Sequence, residues 1–109
     1  MLRRFHKAGV PILPGTDFTV QFLFPGSSAQ EEVAELVKQV GMTPNEAIQA
    51  ASRRSAEMLG LGKQTGTIET GKDADLAVWD RSPYEVSTAA LKDLRCEMTF
   101  VRGRLVYRR

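Results

Sequence analysis

Two stretches of the chain carry a helical period and are bracketed by the signals that start and stop helices. Val33, Leu36, Val37 and Val40 fall at i, i+3, i+4 and i+7, one stripe facing a core, and Gly41 follows as a left-handed stop. Ahead of them Ser28 and Glu31 have the S-x-x-E spacing of a capping box, so the helix is predicted to start there. The second helix is signalled more clearly, by Thr43 as N-cap, Pro44 at the first helical position and Glu46 at the third, with Gly60 as its end. Its predicted inner face, Ala47, Ile48, Ala51, Ser55, Met58 and Leu59, consists mainly of small residues and permits close approach to another element. With Gly41-Met42 as the whole connection, the two helices must pack as neighbours.

Elsewhere the pattern reads as strands. Val10 to Leu13 is a short apolar run bounded by Gly9 and Pro14-Gly15, as expected of a strand covered on both faces in a parallel sheet. Phe18 to Gly26 is apolar and aromatic and ends in a Pro25-Gly26 turn signal. After Gly62 the period drops to about two. Thr67-Ile68-Glu69 reads as a short strand, Thr70-Gly71-Lys72-Asp73 as a turn, and Leu76-Ala77-Val78-Trp79 as a buried strand closed by Asp80 and Ser82-Pro83. Ala89 to Leu94 reads as a helical turn. Cys96, Met98 and Phe100 then alternate with Glu97, Thr99 and Val101, Arg102-Gly103 makes a tight corner, and Leu105-Val106-Tyr107 returns as the second arm of a hairpin. The fold class is α+β: an initial strand, two packed helices and a small, mainly antiparallel sheet.

A chain of 109 residues suits one domain, and 42% hydrophobic with 26% charged residues argues against disorder. No apolar run approaches the ~20 residues of a membrane span, and Met1 to Lys7 lacks the apolar stretch of a signal peptide, so a cytoplasmic setting is expected. The net charge is +2, and the basic residues at the two ends have no aromatics interleaved, which favours a solvated surface over nucleic-acid binding. A lone cysteine, Cys96, excludes an internal disulfide, and a lone histidine, His6, excludes a self-contained multi-histidine metal site.

Metal-assisted hydrolysis needs three or four ligands, and nucleophilic catalysis needs a nucleophile beside a base. Cys96 in a strand and His6 near the terminus read as a core thiol and a surface imidazole rather than such a pair. Asp73 and Asp75, in GKDAD, read as turn formers rather than a cation loop. In VPILPGTD the apolar run ends at Gly15-Thr16-Asp17, whose carboxylate is either a turn residue or an acid at the mouth of a larger site.

The order AGVPILPGTD, then SSAQEEVAELVKQVGMTPNEAIQAASRRSAEMLGL, then GTIETGKDADLAVWDRSPYE and VRGRLVY resembles the carboxy-terminal end of the amidohydrolase superfamily, nearest its imidazolonepropionase-like and prolidase-like hydrolases. The resemblance runs over nearly the whole chain and in the right order. It implies a piece of a (β/α)8 metal-dependent hydrolase barrel: residues 1–62 as the last barrel strand and helices, and residues 63–109 as the carboxy-terminal strands of the family's small β-sandwich. Asp17 matches the aspartate that ends the last barrel strand, a metal ligand that also takes a proton from the attacking water, and Thr16 and Phe18 would line the substrate side, with the Val20 to Pro25 loop. The divalent metal of the complete enzyme, usually zinc, is held mainly by histidines that this sequence does not contain, so the chain by itself is expected to bind no metal and to be inactive. The complete enzyme would act on carbon–nitrogen bonds, amide or cyclic amide, of a small-molecule substrate. The expected partners are a second copy or the missing amino-terminal barrel portion, since unfinished sheets expose edges that other chains can pair with. The alternative is a non-catalytic, self-associating module or one piece of a split enzyme.

Overall fold

The computed structural model describes residues 1–17 and 28–109. Helix α1 (Leu2–Lys7) leads into an extended connector, residues 10–17. Helix α2 (Ser28–Glu35) continues as a π-helical turn, Leu36–Val40, and stops at Gly41, whose φ of 84° is the left-handed conformation predicted for it. Helix α3 (Pro44–Gln49) runs through a second π-helical turn, Ala50–Arg54, into α4 (Ser55–Met58). A three-stranded antiparallel sheet follows in the order β1 (Leu76–Trp79), β2 (Cys96–Val101), β3 (Arg104–Arg108), with a 3-10 turn, Thr88–Asp93, between its first two strands.

The start of α3 forms as its sequence dictates. Thr43 Oγ1 accepts from the Glu46 backbone N–H at 3.2 Å, and Glu46 Oε2 accepts from the Thr43 N–H at 2.8 Å, closing a reciprocal capping box. The stop of the preceding helix has a partner that the sequence did not reveal. Arg3, read as a solvated cation, donates from Nε to Gln39 O at 2.9 Å and from its terminal nitrogen to Lys38 O at 2.7 Å, so α1 covers orphan carbonyls at that helix end. The β2–β3 corner places Arg102 at φ 48° and Gly103 at φ 77°, the left-handed pair of a type I′ hairpin turn. Asp75 Oδ1, just ahead of β1, accepts from the Arg102 N–H at 2.9 Å and fixes that corner from the neighbouring strand's side.

The core is small. Leu36, Val40, Met42, Ala47 and Ala50 form its buried cluster, and Ile12, Leu13, Val33 and Val37 pack against it half-buried. The 3-10 turn lies against α2 through Leu91, which is 4% exposed.

Several predicted features differ. Val10 to Leu13 is no strand: among the described residues no strand pairs with it, and its apolar pattern reflects the packing of Ile12 and Leu13 onto the helices. Thr67 to Glu69 is also loop, because Lys72 Nζ donates to Thr67 Oγ1 at 2.6 Å and to Gly62 O at 2.7 Å, gathering the segment and leaving Ile68 87% exposed. The β1 strand exists but is not buried, since Ala77 and Val78 are exposed. On the second helix Ala47, Ala50 and Ala56 face inward, whereas Met58 (66%) and Leu59 (65%) are turned out. The π-turn adds one residue to the helix between Ala50 and Arg54, which brings Ala56 rather than Ser55 inward, whereas Met58 and Leu59 are exposed at the end of α4.

Candidate functional site

The Gly15-Thr16-Asp17 corner is held from behind by apolar packing and from the side by one polar contact. Ile12 and Leu13 anchor the connector on the helical core, and the Gly15 N–H reaches Glu32 Oε1 on α2 at 3.4 Å, a long hydrogen bond. Asp17 then takes φ 46°, a left-handed conformation that aspartate adopts more readily than bulkier residues. Its carboxylate is exposed. Thr16 is half-buried and, with Pro14 and Gly15, lines one wall of a cavity of about 430 Å³ whose other walls are Gln30 and Val33 of α2 and Trp79 of β1. Phe18 and the Val20 to Pro25 loop lie outside the described residues. Gln30, Glu32 and Trp79 were not singled out in the sequence; the only signal for Gln30 was its place three residues before Val33 on the predicted helix.

The other candidates have structural partners. Cys96 Sγ lies 3.3 Å from Met98 O and 3.4 Å from Thr99 Oγ1, whereas His6 Nε2 lies 3.9 Å from Glu46 Oε2. Asp75 also accepts from Thr65 Oγ1 at 3.3 Å, and Asp73 Oδ2 pairs with Arg102 Nε at 3.7 Å, so both carboxylates clamp the hairpin corner to the preceding loop. His6, Glu46, Arg54 and Glu57 border a second cavity, about 710 Å³, together with Val10 and Met58. The Glu46 carboxyl is held below its ordinary value first by the Thr43 backbone N–H and then by the Thr43 hydroxyl; His6 adds less. Asp80 is lowered likewise, chiefly by accepting from the Arg95 N–H at 3.0 Å.

A catalytic zinc takes three protein ligands. Among the described residues no three His, Cys, Asp or Glu side chains converge as a metal group would, and Asp17 offers a single carboxylate. The donor set of these residues therefore does not by itself fit a catalytic metal. No helix among the described residues is long and apolar enough to cross a membrane.

Residues 2–107 match the model of the amidohydrolase family. The chain is 36% identical over 108 residues to an imidazolonepropionase of Pseudoalteromonas atlantica, covering 94% of this chain and 24% of that one. It is 32% identical over 117 aligned positions to an imidazolonepropionase of Thermoplasma volcanium, covering 98% and 26%. Among solved structures, a putative prolidase from Bifidobacterium longum superposes with a TM-score of 0.87 at 34% identity, over 98% of this chain and 25% of that one. The chain spans about a quarter of the length of the relatives it matches.

Proposed function

The chain belongs to the amidohydrolase family, and from that premise we propose that it supplies the carboxy-terminal quarter of a hydrolase acting on carbon–nitrogen bonds, with Asp17 as its contribution to the reacting centre. The family is generally metal-dependent. Under this reading residues 1–62 complete a barrel and residues 63–109 a small sheet domain, and Asp17 provides one ligand oxygen and the base, the remaining ligands coming from outside the chain. Thr16 and Phe18 would face the substrate, an amide or cyclic amide such as the relatives' names suggest.

One observation supports the reading: more surface is uncovered than a compact domain of this size exposes. The accessible surface is 7875 Å², against about 6000 Å² expected for a folded monomer of this mass. The radius of gyration is 14.4 Å, against about 13 Å for a compact domain of this length. Met58, Leu59, Leu105, Val106 and Tyr107 are all exposed apolar residues, and β3 pairs on one side only among the described residues. A surplus of about 1900 Å² is the size of one side of a large obligate interface. The same surface favours a second reading, a self-associating module without catalysis of its own.

Co-expression with the amino-terminal three quarters of a relative tests both. The first reading expects a stable complex that cleaves an Xaa-Pro dipeptide or an imidazolone substrate, and a loss of about 10²–10⁴-fold when Asp17→Asn is introduced without loss of assembly. A chain that forms only homo-oligomers and never yields activity contradicts it and selects the second.

A further inference from the structure

A third cavity adjoins the Thr16 corner, between the helices and the sheet. It measures about 330 Å³ and is walled by Val33 of α2, Ile48 of α3, Trp79 of β1, and Pro83, Leu91 and Leu94 of the segment between β1 and β2. Gln30 also lines it, and Gln30 Oε1 is buried with no hydrogen-bond partner among the described residues. A buried carbonyl oxygen without a donor is rare in folded proteins because it forfeits its bond to water and gains nothing in exchange. Two wall side chains carry a donor, and neither bonds it: the Ser52 hydroxyl donates to Ile48 O at 2.8 Å, and the Trp79 indole N–H does not reach it, while Val33, Ile48, Pro83, Leu91 and Leu94 carry none.

We propose that this cavity is a binding site for a small aromatic molecule carrying a single hydrogen-bond donor, of the phenol or indole class. The apolar walls take the ring, with Trp79 available for edge or offset stacking, and the donor is delivered to Gln30 Oε1. Volume fits this class: a dry cavity of roughly 150 Å³ suffices for benzene, so 330 Å³ holds one or two rings. Mainly apolar walls with a small number of fixed polar groups are the usual build of a small-molecule site. The cavity adjoins the one beside Thr16 and shares Gln30, Val33 and Trp79 with it, but Asp17 lines neither, and the proposal does not depend on the role assigned to Asp17.

Phenol and toluene form a matched pair of probes, nearly equal in shape and differing in the donor. Titration of the 15N-labelled chain with each, followed at the Trp79 indole N–H and the Leu91 and Leu94 amides, reads their affinities at this cavity. Toluene is the less hydrated molecule and enters a purely apolar cavity more readily; the proposal expects phenol to bind at least as tightly as toluene. Gln30→Leu should then weaken phenol by about fivefold relative to toluene. A wild-type preference for toluene of tenfold, an unchanged phenol-to-toluene ratio in Gln30→Leu, or no shifts at these three residues with either probe overturns the proposal. Because the comparison of the two probes is made first on the unaltered chain, it stands even where the variant fails to fold.

Discussion

Gly66→Ala is the substitution whose cost the structure defines most sharply. Gly66 has φ 94°, and a Cβ built there would sit 2.6 Å from Ala56 Cβ, 3.2 Å from Arg53 Cα and 3.3 Å from Ser52 O. None of these atoms is the end of a flexible side chain, so relief requires the loop to lift off α4. Two costs add: about 1–2 kcal/mol for placing a Cβ in a left-handed conformation, and about 1–3 kcal/mol for overpacking. A total near 3 kcal/mol is expected. Gly71→Ala supplies the internal control, because Gly71 has φ 90° with nothing within 4 Å of its would-be Cβ. It should lose only the conformational part, about 1–2 kcal/mol. Urea unfolding followed by the fluorescence of Trp79, the single tryptophan, measures both. With a slope of about 1–1.5 kcal/mol per molar urea, Gly66→Ala should move the midpoint down by about 2 M and Gly71→Ala by about 1 M. Equal losses in the two variants would refute the account of how the 62–69 loop packs on α4.

Thr43→Ala should cost about 1 kcal/mol in the same assay, since it removes the acceptor for the Glu46 N–H. The lowered Glu46 and Asp80 carboxyls bind fewer protons folded than unfolded, so their contribution is present above the ordinary carboxylate range and is lost as pH falls through the lowered folded values. Melting temperature should accordingly drop below about pH 4.5, and Glu46→Gln should flatten that drop; an equally steep fall in the variant would contradict the assignment. Asp75→Ala leaves the Arg102 N–H without its acceptor and should destabilise by about 1 kcal/mol while speeding hydrogen exchange at that amide first.

Elements whose cause is local were legible in the sequence. The capping box at Thr43, the Gly41 stop and the Arg102-Gly103 corner each need only neighbours within a few residues, and all three formed. The failures came where a distant partner decides. A strand at Val10 to Leu13 requires another strand beside it, which a period of apolar residues does not encode. The Thr67 to Glu69 segment yields to a lysine that reaches five residues back. The π-turn at Ala50–Arg54 shifted the buried face by a residue, from Ser55 to Ala56, and Met58 and Leu59 lie exposed beyond it, against a stripe drawn for a regular helix covered along its length. At the candidate site the family pattern located Asp17 and Thr16, whereas Gln30 and Trp79 line one cavity only in the folded chain, where the 3-10 turn that follows β1 packs on α2.

Zinc content of the purified 109-residue chain, measured by inductively coupled plasma mass spectrometry after dialysis against a zinc-containing buffer, bears most directly on the claim that Asp17 works only among ligands supplied from outside. Well below one zinc per chain is expected, unchanged by Asp17→Asn, rising toward stoichiometry when the amino-terminal three quarters of a relative is bound. One zinc per isolated chain, lost on Asp17→Asn, would contradict it.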